Sequence, residues 1–312
     1  MTMIAVVSPG GSPGVTTVCL AAAFSWSSPV LLAECGESSV LPGYFAGRQP
    51  YRAGVVEVAM TAARDLGAAR VQLEEETVAL DGEARRKLLL PGVADPRQAL
   101  QIKDSWPQIA EVLKTSDRIV LADVGALGVE SVPYAILTAA DAVVLVLRPT
   151  VRFVARCGPR VEALSRGPLA ATPRYLLLIG EGPYSPAEIS RALGGTPVLG
   201  MIPMLPRAAE IFSDGAPQHL RWSARLQMSS LLQAATGFGV ELWEHLKSRT
   251  YGQASVPDAG EPPGTARPPR QLAPPPPVTS TQVMPASHTP PPSFGAGSAL
   301  DAGLDTTTGE SR

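Results

Sequence analysis

Charge, aromatic rings and sulphur are all scarce in this chain of 312 residues. Charged side chains make up 17% and sum to −2, so no global basic field recruits nucleic acid or an anionic membrane; any such contact must come from a local patch. Cysteine occurs three times, as Cys19, Cys35 and Cys157, without CxxC or CxxH spacing. An odd number with no framework, each in or beside an apolar run, predicts buried thiols in a reducing cytosol rather than a disulfide scaffold. The three histidines, His219, His245 and His288, are scattered, and HExxH, paired-cysteine and EF-hand spacings are missing. No protein-bound transition metal is therefore expected. The longest apolar run, around Ala139–Leu147, falls far short of the roughly 20 residues that cross a bilayer. MTMIAVVSPGG lacks a basic n-region and breaks at Pro9, so it does not read as a signal peptide. Together these absences predict a cytoplasmic protein.

What the chain does have is apolar content of 45%, enough for a substantial core, and 32 prolines, too many for one compact domain. The prolines gather towards the C-terminus, and the division follows them: a domain over 1–250 and a tail over 251–312. Stretches such as GEPPGTARPPRQLAPPPPVTS bury too little to offset their ordering entropy, which predicts a disordered, polyproline-II-biased tail. Within the domain, short runs that are apolar throughout read as strands: Ile4–Val7, Val30–Ala33, Arg118–Ala122, Ala142–Leu147, Tyr175–Ile179 and Val198–Ile202. Runs without alternation suit strands covered on both faces of a parallel sheet. Helices are expected between them at Thr16–Phe24, Val55–Leu66, Trp106–Lys114, Val151–Leu164 and Pro186–Leu193, with two more at Leu220–Ala235 and Val240–Arg249. The alternation predicts a doubly wound α/β fold with a mostly parallel sheet.

The most informative segment is IAVVSPGGSPGVTTVCLAAA, residues 4–23. An apolar strand, a turn rich in Gly and Pro, and Thr-Thr opening a small-residue helix give the strand–loop–helix context of a phosphate loop. Such loops place a lysine between the last Gly and the first Thr, where this chain has Val15. The backbone N–H groups that cradle phosphates are retained, and the point charge is gone.

That loop, with VLLAECGES, IVLADVGAL, AADAVVLVLRPT and PVLGMIPML in the same order, resembles the MinD/ParA family of deviant Walker-A P-loop ATPases. More narrowly it is similar to the divergent MinD-like branch of actinobacteria, over roughly residues 1–245. The resemblance implies the P-loop NTPase fold, ATP or ADP with Mg²⁺, and the family loop S-G-K-G-G-x-G-K-T-T. Laid on this chain, the two lysines fall on Gly10 and Val15, Pro9 and Ser12 replace glycines, and Pro13 removes a backbone N–H. Gly11, Gly14, Thr16 and Thr17 survive as the implied nucleotide-binding set, with Thr16 suited to Mg²⁺ and Thr17 to an α-phosphate. Asp123 matches the Mg²⁺-supporting Asp; capping the following turn is its plainer role. The water-placing Asp of the family falls on Gly36, with Glu34 before it, and the adenine-reading Asn is replaced within IGEGPYS. Without both lysines and that Asp, transition-state stabilisation should drop by several kcal/mol, on the order of a thousandfold in rate.

Two further readings follow. Arg148, Arg152, Arg156 and Arg160 recur every four residues, a row that suits a basic surface for DNA or an acidic partner; Arg148, Arg152 and Arg156, near a strand end, are also candidates to replace the missing charge. Gly158-Pro159 is expected to break that helix. The helix VELWEHLKSR reads as packed on the domain rather than as a membrane anchor. The function implied is a degenerate positioning or scaffold factor with weak or absent hydrolysis, acting in partitioning, septum placement or organisation of a pilus or secretion apparatus. Its partners would be proteins, such as a partitioning partner or a secretion-type ATPase, or a second copy in a homodimer. The alternatives are an active ATPase that dimerises on ATP and a nucleotide-independent DNA-binding accessory protein.

Overall fold

The computed structural model describes residues 2–11, 13–37, 39, 52–128, 132–215 and 222–254. Ser12, His219, His288 and the expected tail beyond Ala254 lie outside these residues. Among the described residues, eight strands form one sheet: β1 (Met3–Ser8), β2 (Val30–Glu34), β3 (Val78–Ala79), β4 (Lys87–Leu90), β5 (Ile119–Ala126), β6 (Ala142–Leu147), β7 (Arg174–Ile179) and β8 (Val198–Ile202). Their spatial order is 3-4-2-5-1-6-7-8. Neighbours run parallel except β3 and β4, which pair antiparallel at one edge.

The helices are α1 (Val15–Ser25), α2 (Val55–Ala62), α3 (Leu66–Glu76), α4 (Pro96–Gln101), α5 (Trp106–Leu113), α6 (Tyr134–Ala139), α7 (Val151–Leu164), α8 (Pro186–Ala192), α9 (Pro206–Asp214) and α10 (Trp222–Ala254). They cover both faces of the sheet, which explains why the strand runs do not alternate. Along β1, Met3, Ala5 and Val7 enter the core layer shared with α2, α5 and α6. Ile4 and Val6 enter the layer under α1, α9 and α10. Cys19, Cys35 and Cys157 are free and buried in these layers, as expected. Burial raises all three thiols, that of Cys157 to about 12.

No sequence expectation covers the short helices α4, α6 and α9, and four further departures stand out. The strands β3 and β4 are also without a sequence expectation; β4 opens with Lys87, whose charge masks a short apolar run. Its ammonium bonds the carbonyls of Trp26 and Ser28. Burial, with Arg86 adding to it, lowers this lysine to about 8. Second, the expected helix Val55–Leu66 is two helices, because the Asp65 carboxylate accepts from Gly67 and Ala68 N–H and starts α3 afresh. Third, the two C-terminal helices are one, α10. Gly239 does not interrupt it; a Cβ there would overlap Trp26 Nε1, which donates to Ala235 O at 3.1 Å. That packing offsets the roughly 1 kcal/mol helix penalty of glycine. In the same helix Phe238 and Leu242 are buried on the sheet, so its apolar side faces the domain. No helix among the described residues is long and apolar enough to cross a membrane.

The fourth departure is α7, which runs through Gly158 and Pro159 to Leu164. Proline costs the helix one internal hydrogen bond. Here Pro159 is solvent-exposed, where water can take the freed carbonyl. Arg160 Nη1 also donates to the Arg156 carbonyl at 2.9 Å in the same turn. Arg152, Arg156 and Arg160 therefore share one unbroken helix, whereas Arg148 precedes it.

Candidate functional site

Parallel strands bring their C-terminal ends to one edge, where ligands collect in open α/β sheets. At this edge the loops after β1, β2, β5, β6 and β8 enclose a cleft of about 540 Å³. Ser8, Gly11 and the run from Pro13 to Val18 line it. Gly10, Gly11 and Gly14 take φ of 128°, 74° and 111°, a region open to glycine at little cost. The loop thereby turns back sharply and delivers the chain into α1. Among the described residues no side chain caps α1, which leaves N–H groups of its first turn for a ligand or water. Of the expected nucleotide-binding residues, Gly11, Gly14, Thr16 and Thr17 all line the cleft. Val15, at the first helical position, is 6% exposed and packs in the apolar layer under α1.

Thr16 and Asp123, 107 residues apart, meet at the strand ends. The Thr16 hydroxyl donates to Asp123 Oδ2 at 2.6 Å, and Gly125 N–H donates to Oδ1 at 3.1 Å. Register explains the meeting: Asp123 lies level with Val6 on β1 and Glu34 on β2. Burial pushes the Asp123 carboxyl up to about 6; the Thr16 hydrogen bond opposes this, Glu34 adds to it and Gly125 N–H opposes it. A hydroxyl and a carboxylate in contact at the base of a phosphate loop fit a Mg²⁺ ion. The capping role that sequence left open for Asp123 is present too, through Gly125 N–H.

Glu34 is otherwise engaged. Its Oε2 accepts from Ser39 Oγ at 2.5 Å and from Gly92 N–H at 2.9 Å, tying β2 to the loop after β4. Gly36 lies over the β5 backbone, where an added Cβ would sit 3.6 Å from Val124 O. Glu37 lines the cleft.

On the opposite side, towards β6, the expected basic row separates by environment. Arg148, at the end of β6, is half-buried and lines the cleft rather than the outer surface. Its guanidinium lies 6.0 Å from the centre of the Phe153 ring. Arg152 and Arg156 are exposed on α7. Arg156 reaches back, so that a Cβ built on Gly11 would lie 3.8 Å from its Nη1 and 3.6 Å from Phe153 Cζ. Arg160 donates from Nε to Leu127 O at 3.3 Å, pinning α7 to the loop after β5. Phe153 had no sequence signal, being one aromatic in a helix. The apolar end of the cleft, with Ile202, Met204, Leu205 and Phe212, was also missed, because α9 was not assigned.

No family model matches this chain, and no curated protein does. Solved structures do. The MinD cell division protein of Aquifex aeolicus is 17% identical with a TM-score of 0.59, covering 78% of this chain and 97% of its own. The septum site-determining protein MinD of Pyrococcus horikoshii, complexed with Mg-ADP, is 20% identical at 0.60, covering 77% and 95%. A Cyanothece McdA variant in complex with ATP is 15% identical at 0.57, covering 78% and 96%. With its parallel sheet, glycine-turned loop and Thr–Asp pair at the strand ends, this chain carries the fold of the MinD/ParA P-loop ATPases.

Proposed function

We propose that this protein is a MinD/ParA-like positioning or scaffold factor whose cleft holds a Mg²⁺-nucleotide weakly and hydrolyses it poorly. The observation that carries the reading is the pairing of Thr16 with Asp123 below a glycine-turned loop in which Val15, not a cation, opens α1. The first-turn N–H groups and Thr17 would receive phosphate oxygens, and Thr16 with Asp123 would support Mg²⁺. Bound Mg²⁺ would offset phosphate charge. What this chain lacks is the pair of loop lysines at Gly10 and Val15 and a carboxylate at Gly36. Their loss places turnover on the order of a thousandfold below that of a fully equipped site. The neighbours bound to Mg-ADP and ATP support nucleotide in this cleft. The Aquifex MinC:MinD complex, 18% identical to this chain, supports work done through a protein partner.

Of the basic row, only Arg152 and Arg156 stand exposed on α7, a small footprint for DNA. Protein recognition is therefore the favoured use of that surface.

Calorimetric titration of the full chain with Mg-ATP and Mg-ADP, beside Thr16→Ala and Val15→Lys, tests the reading. Binding weakened about tenfold by Thr16→Ala and tightened by Val15→Lys, with negligible phosphate release, is expected. Rapid hydrolysis by the wild type would replace it with an active ATPase. Absence of binding at millimolar nucleotide would leave a scaffold independent of nucleotide.

A further inference from the structure

Arg148 carries an unexplained cost. Its Nε–H is buried and has no hydrogen-bond partner among the described residues, and a buried donor left unpaired destabilises a fold by about 1–3 kcal/mol. Among the described residues no carboxylate pairs with it; its neighbour is the Phe153 ring, a cation–π contact at the outer limit of useful range. The position is nevertheless fixed. Thr150 N–H donates to Arg148 O at 2.8 Å. Pro149 is clamped by the loop after β7, where a Cβ on Gly182 would overlap the Pro149 carbonyl. A fixed backbone thus holds a guanidinium whose Nε–H has no partner among the described residues, in a cleft lined by Gly11, Gly14 and the first turn of α1.

We propose that Arg148 is a phosphate-binding residue that supplies, from the end of β6, the positive charge that the loop itself does not carry. The ligand it selects is a pyrophosphate-bearing nucleotide, and the contact is to the terminal phosphates rather than to the α-phosphate seated on α1. A guanidinium suits this task because its planar fork gives paired hydrogen bonds to two oxygens and stays charged at any physiological pH. Phe153 links the two: its ring centre lies 6.0 Å from the Arg148 guanidinium, and its Cζ would lie 3.6 Å from a Cβ built on Gly11. Arg156, whose Nη1 would lie 3.8 Å from the same built Cβ on Gly11, adds a solvent-screened charge of smaller effect.

This proposal rests on the nucleotide-cradle reading, and its test separates the two. AMP, ADP, ATP and inorganic pyrophosphate, each with Mg²⁺, are titrated into the full-length wild type, Arg148→Ala, Arg148→Lys, Arg152→Ala and Thr16→Ala. Thermal melts without ligand confirm that each variant is folded. The expected pattern is a loss of about tenfold or more for ADP, ATP and pyrophosphate in Arg148→Ala, with AMP unchanged. Arg148→Lys restores part of it, and Arg152→Ala behaves as the wild type. Equal ADP affinity in Arg148→Ala and wild type, with Thr16→Ala weakened, overturns the role of Arg148 and leaves the cradle standing. A uniform loss across AMP, ADP and ATP also overturns it, since the residue would then shape the cleft rather than read the terminal phosphates. No binding by the wild type overturns both.

Discussion

The two flanks of the phosphate loop are built from opposite charges. On the side of β5 and β2, Asp123 and Glu34 are buried carboxylates held by Thr16, Gly125, Gly92 and Ser39. On the side of β6, Arg148 lines the cleft, and Arg156 and Arg160 lean from α7 against Gly11 and Gly10. The strand order sets this division: β1 lies between β5 and β6, so its loop opens with acid on one hand and base on the other. The acidic flank is hydrogen-bonded; the basic flank contains a buried donor without a partner among the described residues. The difference teaches that the turn of this loop and the charge around it have separate origins, the turn coming from its own glycines and the charge from strands that end nearby.

The largest expected effect breaks the acidic flank. The folded Asp123 carboxyl titrates at about 6, above its unfolded value of about 3.9. Between these values the folded state holds more protons than the unfolded one, so the group's contribution to stability is full below about pH 4 and is lost as pH rises through 6. Asp123→Asn should therefore stabilise the protein by up to about 3 kcal/mol at pH 7 and by nothing near pH 4. Urea melts at the two pH values check this; equal gains at both would show that charge is not the cause. The same variant should lose Mg²⁺-dependent nucleotide binding, the mark of a residue kept at the expense of stability.

A smaller effect loosens the basic flank. Gly182→Val forces a side chain into the Pro149 carbonyl, and overpacking of this kind costs about 2 kcal/mol. It should lower the melting temperature and reduce affinity for ADP more than for AMP, since the turn holding Arg148 moves. An ADP/AMP ratio equal to that of the wild type would show that the clamp does not position Arg148. The smallest effect belongs to the surface. Arg152→Glu touches no loop atom and should change stability by less than about 0.5 kcal/mol in denaturant melts. A clear loss in binding to a protein partner from the same variant would place the docking surface on α7.

Much of the site was legible because its signals are local. Gly11, Gly14, Thr16 and Thr17 lie within seven consecutive positions between a strand and a helix, and Val15 is conspicuous among them. Asp123 was legible only by resemblance, because its meeting with Thr16 spans 107 residues and depends on the register of β1 with β5. The Arg148–Arg160 row shows the reverse case. Four-residue spacing grouped these residues, yet strand end, helix surface and loop contact assign them different surroundings.

The sequence by itself determined the layered α/β architecture, since continuous apolar runs are stable only when both sheet faces are covered. It determined too the turned, lysine-free loop, because Gly and Thr-Thr act through their own backbone and side chains. Tertiary structure alone decided that α10 is unbroken and that α7 is held past Pro159, because Trp26 packs on Gly239 and Arg160 Nε bonds the Leu127 carbonyl. It alone decided that a guanidinium from β6 faces the loop. Strand order is a choice among long-range pairings of similar apolar segments, and no local residue pattern encodes which strand ends beside which.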